Sequence, residues 1–477
     1  MKILYAAAES SPFMKTGGLA DVAGSLPLSL KSQGNDIRVV MPLYSKIKEE
    51  YKSDMEFLGH FFIDLGWRHK YVGVFSYKLE DVIYYFIDNT DYFHRDNIYG
   101  EMDDGERFIF FTKAVAQMLK FLDFKADIVH SNDWHTGLLS LYIKDFAKGD
   151  EFYRGIKTVF TIHNMKYQGV FSSSILEDIA GLSIEYYHED GLKYYDNINM
   201  MKAGIVYCDL LTTVSSTYSE EIKSAYFGEK LEDVIRNNQY KLHGVVNGID
   251  YNVYNPEKDK NIDVNYNLDT LDKKIENKLA LQELVNLPLN KDIPVIGMVT
   301  RLVAMKGLDM VRYILDELLQ EDIQFVLLGT GDKEYEDLFK YFQEIYPGKM
   351  ASRIYFNENH SHKIYAGSDI FLMPSLAEPC GISQLISLRY GTVPIVRETG
   401  GLKDTVTPYN KYTCEGNGFS FKNQNAHELL FTIKEALNLY KDKEKWRQLM
   451  ISGMNSKNDW EESSKEYIRL YSEILGK

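Results

Sequence analysis

The chain has 477 residues, of which 45% are hydrophobic, so it can bury enough core for two domains. A formal net charge of -15 and a pI near 5.3 argue against general nucleic-acid binding, which needs a basic face. There are three cysteines and no CxxC pair, which argues against a disulfide framework. No apolar run approaches the roughly 20 residues that cross a bilayer, which argues against a membrane span. We therefore expect a soluble cytoplasmic protein.

Short β-rich runs alternate with helix-length segments from one end of the chain to the other. Many of the runs are continuously apolar, as strands covered on both faces are, so the alternation predicts βαβ units and parallel sheets. The strand candidates are KILYAAA, IRVVMP, VIYYFID, DIVHSND, KTVFTIHN, DLLTTVS and HGVVNGID in the first half, and PVIGMVTR, IQFVLLGTG, SRIYFNE, DIFLMPS and TVPIVRE in the second.

The pattern pauses between residues 250 and 290, where Asn and Asp are abundant and apolar periodicity is weak. We interpret this stretch as a linker that runs into a second domain. The segment DWEESSKEYIRLYSEILGK near the C-terminus predicts a helix with Tyr467, Leu470, Tyr471 and Ile474 on one face. The predicted domains are residues 1–246, residues 247–458 and a final helix over 459–477.

The tetrapeptide Thr-Gly-Gly-Leu occurs twice, once near each end, in KTGGLADV (15–22) and TGGLKDTV (399–406). Each copy follows a predicted strand and opens a helix. A Gly-rich turn at the start of a helix offers backbone N–H groups and the positive end of the helix dipole, which suit an anion. A simple tight turn is the alternative. Lys15 adds a positive charge to the first copy.

Two further loops follow predicted strands in the second half. VTRLVAMKG (299–307) carries Arg301 and Lys306 at a strand end, where open α/β sheets bind ligands and where paired cations can bind phosphate. PSLAEPCGISQL (374–385) places Glu378 before a predicted helix with Pro in its first turn. The alternatives are solvated cations in the first loop and an ordinary helix cap at Glu378.

The histidines do not predict a metal site. His163 stands at the end of the predicted strand in TIHN, where a hydrogen-bonded structural role is the alternative to catalysis. HSNDWH (130–135) offers two His and Asp133, but no further ligand follows at a recognised spacing. We expect neither a metal nor a cofactor.

Together, KTGGLADV, NDWH, TIHN, NGID, the Arg301-to-Lys306 loop, EPCG and TGGL resemble the bacterial glycogen synthases and plant starch synthases in order and approximate spacing. The resemblance covers the whole chain. It implies a GT-B architecture, which is an α/β fold of two Rossmann-like domains with parallel sheets facing across a deep cleft. It also implies that the final helix crosses back to the first domain.

The resemblance implies glucose transfer from ADP-glucose to the non-reducing end of an α-1,4-glucan, with retention at the anomeric carbon. It assigns catalytic roles to Glu378, His163, Lys306 and Arg301. The substrate-binding residues that it implies are Lys15, Gly18, Asp21, Asp133, Asn247, Phe356, Cys380 and Gly381. Of these, Phe356 is expected against the adenine, and the backbone N–H groups of Cys380 and Gly381 are expected to face the donor.

Several alternatives stay open from the sequence. A catalytically inactive glucan-binding protein and an enzyme that uses UDP-glucose would carry the same scaffold, and a glucan phosphorylase shares the architecture. Retention is compatible with a front-side route or with a covalent intermediate on Glu378. The expected partners are ADP-glucose and glycogen or malto-oligosaccharide, with no nucleic acid and no membrane. The sequence sets no oligomeric state.

Overall fold

A computed structural model describes all 477 residues, and the chain divides into two compact units. The first unit contains Met1–Val245 together with Trp460–Lys477, and the second contains Val246–Asp459. The observed division thus lies one residue from each boundary given above. The helix that ends the chain is counted with the first unit, although the second unit precedes it in sequence.

A nine-stranded sheet forms the centre of the first unit, in the order β12-β11-β7-β6-β1-β2-β5-β4-β3. Pairing is parallel from β12 to β5 and antiparallel across β5, β4 and β3, and β8, β10 and β9 form a separate small antiparallel sheet. The strands are Lys2–Ala6 (β1), Asp36–Pro42 (β2), Glu56–Leu65 (β3), Arg68–Leu79 (β4), Val82–Asp88 (β5), Ile128–Asn132 (β6), Lys157–Ile162 (β7), Val170–Ser172 (β8), Lys193–Tyr194 (β9), Asn197–Asn199 (β10), Leu210–Thr213 (β11) and Leu242–Gly244 (β12).

Helices connect the parallel strands of the first unit, as parallel pairing requires. They are Gly18–Ser32 (α1), Glu49–Lys52 (α2), Thr90–Phe93 (α3), Asp104–Phe121 (α4), Leu139–Gly149 (α5), Met200–Tyr207 (α6), Ser216–Glu221 (α7), Ala225–Gly228 (α8) and Glu232–Asn237 (α9). No helix anywhere in the protein has both the length and the apolar character that crossing a membrane demands.

The second unit has a six-stranded parallel sheet in the order β15-β14-β13-β16-β17-β18. Its strands are Val295–Val299 (β13), Gln324–Leu328 (β14), Met350–Arg353 (β15), Ile370–Met373 (β16), Val393–Arg397 (β17) and Phe419–Phe421 (β18). Its helices are Lys274–Leu284 (α10), Leu308–Gln320 (α11), Lys333–Ile345 (α12), Glu358–Gly367 (α13), Ser383–Arg389 (α14), Gly400–Thr405 (α15), Ala426–Tyr440 (α16) and Lys443–Met454 (α17).

The last helix, Trp460–Leu475 (α18), packs on the first unit beside α1. The Ser29 hydroxyl donates to the Trp460 carbonyl at 3.1 Å. On the expected apolar face, Tyr467, Leu470 and Tyr471 are fully buried, whereas Ile474 is partly exposed. Burial of this face ties the end of the chain to its beginning.

Both sheets have a point where the strand order reverses. In the first unit this point lies between β1 and β6, and in the second it lies between β13 and β16. On one side of β1 or β13 lie the strands that follow it first in sequence, and on the other side lie strands that come later. Connections leave such a point in opposite directions, so the carboxyl ends of its strands leave an open crevice for ligands. The segments that follow these four strands are therefore the places to look for a site.

Residues 250–290 are not the linker that we expected. Tyr266 and Leu271 are buried in a core cluster of the second unit, and α10 lies within the stretch. The Tyr266 hydroxyl donates to the Tyr390 carbonyl at 2.7 Å. The stretch lacks periodicity because most of it is irregular chain whose Asn and Asp side chains bond to nearby backbone N–H groups, as at Asn255 and Asn267.

Candidate active site

The first Gly-rich turn leads directly into α1, which begins at Gly18. Lys15 lies just before the turn, and its Nζ is 2.7 Å from Asp21 Oδ1 in the first helical turn. Both side chains are about one third exposed, at 35% and 29%. The three predicted residues Lys15, Gly18 and Asp21 therefore form one cluster that solvent can reach.

Glu9 fixes this turn through hydrogen bonds to Thr16. It was not among the residues predicted from the sequence. The Thr16 backbone N–H and the Thr16 hydroxyl both donate to Glu9 Oε2, each at 2.6 Å. Glu9 is only 3% exposed, and desolvation raises the pKa of its carboxyl to about 7, against the opposing effect of the Thr16 hydrogen bonds. A carboxylate three residues beyond the end of β1, which is buried from Ile3 to Ala6, was the available signal.

Asp133 and His163 meet where β6 and β7 end. Asp133 directly follows β6, with φ +53°, and its Oδ1 accepts from the His163 backbone N–H at 2.8 Å. Desolvation raises the pKa of Asp133 to about 7 and lowers the pKa of His163 to about 3. A left-handed backbone is strained for a residue with a side chain, and such strain concentrates at functional sites. At neutral pH the His163 ring is uncharged.

Arg301, Lys306, Glu378 and Gly381 line one cavity of about 160 Å³ in the second unit. It lies at the carboxyl ends of β13 and β16, where the strand order reverses. Lys306 Nζ is 2.6 Å from Glu378 Oε2, and the Ser375 hydroxyl donates to the same oxygen at 2.9 Å. Arg301 is exposed. The fold thus brings together four of the predicted residues in this unit.

The segment around Cys380 differs from expectation in one respect. Pro379 does not start a helix, because α14 begins only at Ser383. Residues 379–382 form an irregular turn instead, and Gly381 takes φ +75°, where an added Cβ would come 2.5 Å from Gln384 Oε1. The position therefore requires glycine for its backbone and for its space.

Asn247 and Cys380, predicted separately, are in contact. The Asn247 backbone N–H hydrogen-bonds to the Cys380 thiol, whose pKa burial raises to about 12, so the sulfur stays protonated and unreactive. The side-chain oxygen of Asn247 is buried without a hydrogen-bond partner. An unpaired buried amide oxygen is costly unless something donates to it, and a ligand hydroxyl would do so.

The second Gly-rich turn packs against the Glu378 segment. Gly400 takes φ +44°, and an added Cβ would lie 2.0 Å from the Glu378 carbonyl oxygen. The Gly401 backbone N–H donates to the Pro379 carbonyl at 3.1 Å. This copy of Thr-Gly-Gly-Leu therefore lets the chain approach the backbone beside Glu378.

Phe356 lies outside the cavity residues. It follows β15, two residues before α13, and its side chain is 84% exposed. An aromatic ring left in solvent is available for stacking on a flat ligand.

No cluster of His, Cys, Asp and Glu has the arrangement of a metal site. His130 is bonded on both ring nitrogens, to the Tyr471 hydroxyl and the Thr161 hydroxyl, each at 2.6 Å. His362 pairs with Asp259 at 2.6 Å. All three cysteines are free. These histidines therefore have structural partners.

The chain is similar in sequence to known proteins along its whole length. The starch synthase catalytic domain family matches residues 2–237, and the family of glycosyl transferases group 1 matches residues 282–450. A glycogen synthase of Finegoldia magna is 58% identical over 476 residues and covers 100% of both chains. A glycogen synthase of Clostridioides difficile is 49% identical, with 99% of this chain and 100% of that one covered.

Solved structures agree with these matches. The catalytic domain of starch synthase IV from Arabidopsis thaliana, bound to ADP and acarbose, superposes with a TM-score of 0.93 at 31% identity and covers 100% of this chain and 99% of that one. A sucrose-phosphate synthase from Thermosynechococcus elongatus shares the fold alone, with a TM-score of 0.61 at 14% identity. The expected GT-B class of α/β fold is confirmed. By sequence along its full length and by fold, this chain belongs to the glycogen and starch synthase family of glycosyltransferases.

Proposed function

We propose that the protein transfers glucose from ADP-glucose to the non-reducing end of an α-1,4-glucan, with retention at the anomeric carbon. Relatives named glycogen synthase match the chain from end to end, and a starch synthase of similar structure binds ADP and acarbose. The observation that carries the proposal is the cavity where Arg301, Lys306 and Glu378 converge at the strand-order reversal of the second unit.

The cations act on the leaving group. Breaking the bond from C1 to the nucleoside diphosphate develops negative charge on the phosphate oxygens. Arg301 can donate to two of them at once, and Lys306 supplies a mobile charge. Lys15 contributes in the same way from the Gly-rich turn before α1. Because these groups interact more strongly with the transition state than with the bound donor, they lower the barrier.

Glu378 stabilises the sugar as it gains positive charge. Its Oε2 already accepts from the Lys306 ammonium and the Ser375 hydroxyl, and an oxygen held by a cation and a second donor is a poor nucleophile. We therefore favour a front-side route, in which the leaving phosphate takes the proton of the attacking hydroxyl. Isolation of a glucosyl adduct on Glu378 would replace this route by double displacement.

His163, Asp133 and Asn247 bind sugar hydroxyls, and Asp21, Gly18 and the backbone of Cys380 and Gly381 complete the donor contacts. Phe356 stacks on the adenine. Since Lys and Arg side chains supply the positive charge, the reaction needs no metal and no cofactor. Excess EDTA is expected to leave the rate unchanged, and a rate that falls and is restored by Mg²⁺ would contradict this assignment.

One incorporation experiment tests the function. The purified protein receives glycogen and radiolabelled ADP-glucose or UDP-glucose, and label in precipitated polymer is counted. We expect incorporation with ADP-glucose and little with UDP-glucose, release of the label by a glucoamylase, and loss of incorporation in Glu378→Ala. Incorporation from UDP-glucose alone would show that the donor is UDP-glucose and not ADP-glucose. Glycogen binding without incorporation from either donor would identify an inactive glucan-binding protein.

A further inference from the structure

Two neighbouring residues at the end of β6 hydrogen-bond to His163, Asp133 with its backbone and Asn132 with its ring. Asp133 Oδ1 accepts from the His163 backbone N–H at 2.8 Å, and Asn132 Oδ1 lies 2.9 Å from the ring Nε2. Asn132 is fully buried, whereas His163 is partly exposed. The imidazole therefore has one nitrogen, Nε2, that is bonded within the protein.

The orientation of the Asn132 amide follows from its other contacts. Its Nδ2 donates to the Ala6 carbonyl oxygen at 3.0 Å, and a carbonyl can only accept. The amide oxygen must then face the other way, toward the Tyr5 hydroxyl at 2.9 Å and His163 Nε2. Burial raises the pKa of Tyr5 well above its ordinary value, so the phenol keeps its proton and donates.

This orientation sets the proton on the ring. An amide oxygen cannot donate, so Nε2 must carry a hydrogen to bond with it. Desolvation lowers the pKa of His163 to about 3, so the ring carries only that one proton at neutral pH. Nδ1 is consequently a bare acceptor, and it has no hydrogen-bond partner in the protein.

We infer that Asn132 is a positioning residue that fixes His163 as the neutral Nε2–H tautomer and so leaves Nδ1 to accept a hydrogen bond from a sugar hydroxyl. The sugar as ligand rests on the proposed function, whereas the tautomer does not. A neutral acceptor suits the chemistry, because an imidazolium would place positive charge beside a sugar that is itself becoming positive, and like charges at such short range repel.

The charged and titratable groups around the ring support this assignment. His130 lies in β6, and Asp133 directly follows that strand. Tyr5 lies in β1 and Tyr218 lies in α7. Glu9 interacts electrostatically with Asp133. Desolvation and then His163 lower the pKa of His130, whereas desolvation alone lowers the pKa of His163. None of these groups donates to Nδ1.

The test reads the tautomer directly, in the full-length protein. Two-bond ¹H–¹⁵N spectra of ¹⁵N-histidine-labelled protein distinguish Nε2–H, Nδ1–H and imidazolium forms, and His163→Gln identifies the signals among the 11 histidines. Wild type is expected to show the Nε2–H pattern throughout about pH 5–8. Tyr5→Phe is the matched control, because it removes the other hydrogen bond to Asn132 Oδ1 without touching the ring and should keep the pattern.

Asn132→Asp replaces the amide by a carboxylate that stabilises an imidazolium. We expect the His163 pKa to rise to at least the ordinary value near 6.5. Below this new pKa, turnover of Asn132→Asp should fall about tenfold per pH unit relative to wild type, whereas Tyr5→Phe should follow the wild-type profile. The Nδ1–H form in wild type, or titration of wild-type His163 near pH 6.5, would overturn the inference, and both are measurable even if Asn132→Asp does not fold.

Failure of this inference differs from failure of the proposed function. The spectra need no substrate, so a protein that shows the Nε2–H pattern but transfers no glucose refutes the function and keeps the tautomer. A protein that transfers glucose and shows an Nδ1–H ring refutes the role of Asn132 and keeps the function. Addition of ADP-glucose or maltotriose should shift the Nδ1 signal if a hydroxyl donates to it, and an unchanged Nδ1 signal at saturation would overturn that part.

Discussion

Lys306 Nζ lies 2.6 Å from Glu378 Oε2, and both side chains are mostly buried, with 17% and 11% of their surface exposed. The pair joins the loop after β13 to the loop after β16. A cation that already has a carboxylate partner is held in place before any ligand arrives, so little entropy is lost when phosphate oxygens join it. Lys306 and Glu378 should therefore behave in catalysis as one unit.

The first prediction is non-additivity between these two residues. Lys306→Ala and Glu378→Ala should each lower kcat by about 10²–10³, the usual cost of one transition-state contact. The double variant should lose much less than the product of the two, because either single change already breaks the pair. Steady-state rates of the four proteins test this. Multiplicative losses would mean that the two side chains act independently.

Arg301 should matter for turnover and little for stability. Because it is exposed, Arg301→Ala is expected to change the free energy of unfolding by less than about 0.5 kcal/mol, while kcat falls about 10²–10³. Arg301→Lys should recover only part of the loss, since Lys cannot bind two oxygens at once. Arg312→Ala, on α11 of the same unit, is the matched control and should keep wild-type rates. Full activity of Arg301→Ala would remove it from the site.

Lys15 is predicted to act in the donor site from the turn before α1. Lys15→Ala should lower turnover about 10²–10³ and leave the fold intact, because its ion pair with Asp21 is partly exposed. Lys48→Ala serves as the control for loss of a surface positive charge. Rates and circular dichroism on both variants separate a catalytic from a structural effect. Equal rates for the two variants would contradict the assignment.

Glu9 should make the protein less stable as pH rises. Its carboxyl has a pKa near 7 in the folded protein against 4.5 ordinarily, so the folded state binds the proton more tightly than the unfolded chain. The stability from this proton is present at low pH and is lost as pH rises from about 4.5 to about 7. Glu9→Gln, which keeps an acceptor for Thr16, should remove this dependence.

Urea unfolding at pH 5 and pH 8 measures the effect. From pH 5 to pH 8, the free energy of unfolding of Glu9→Gln should rise by about 2 kcal/mol relative to that of wild type, since one pKa unit corresponds to about 1.4 kcal/mol. A difference between Glu9→Gln and wild type that is the same at both pH values would show that the Glu9 carboxyl titrates normally.

Tyr471 is expected to stabilise the first unit from the last helix. Tyr471→Phe removes the hydroxyl that bonds to the buried His130 Nδ1 at 2.6 Å and leaves that nitrogen without a partner, which should cost about 1–3 kcal/mol. Tyr195→Phe, at a residue that is 68% exposed, should change stability by less than about 0.5 kcal/mol. Equal effects of the two variants on urea unfolding would show that the contact contributes nothing.

The parallel strands were predictable because burial on both faces makes them continuously apolar, as in KILYAAA and DIFLMPS. Three kinds of strand were not. The β3–β4 hairpin has exposed Phe57, Phe62 and Trp67 mixed with charges, so it shows neither continuous nor alternating apolarity. The runs of the small antiparallel sheet have only two or three residues each. β18 is likewise too short to stand out.

The site was predictable wherever one short motif carried the residue type and its place after a strand, as for Arg301 and Glu378. Glu9 was missed because no motif marks a carboxylate that accepts from Thr16. Asn132 was missed because its role depends on partners distant in sequence and on the direction of an amide. Asn132 meets Ala6 and Tyr5, more than 120 residues away, through the pairing of β6 with β1. No spacing rule within one segment reveals such a contact.

The first unit is discontinuous, since it needs residues from both ends of the chain. During synthesis, Trp460–Lys477 are made after all of Val246–Asp459, so the first unit still lacks α18 while the second is being made. The first unit therefore cannot be finished first, as an N-terminal domain usually is. Until α18 has left the ribosome, the grooves that receive Tyr467 and Tyr471 stay uncovered, and a chain that lacks α18 leaves them open to chaperones and proteases.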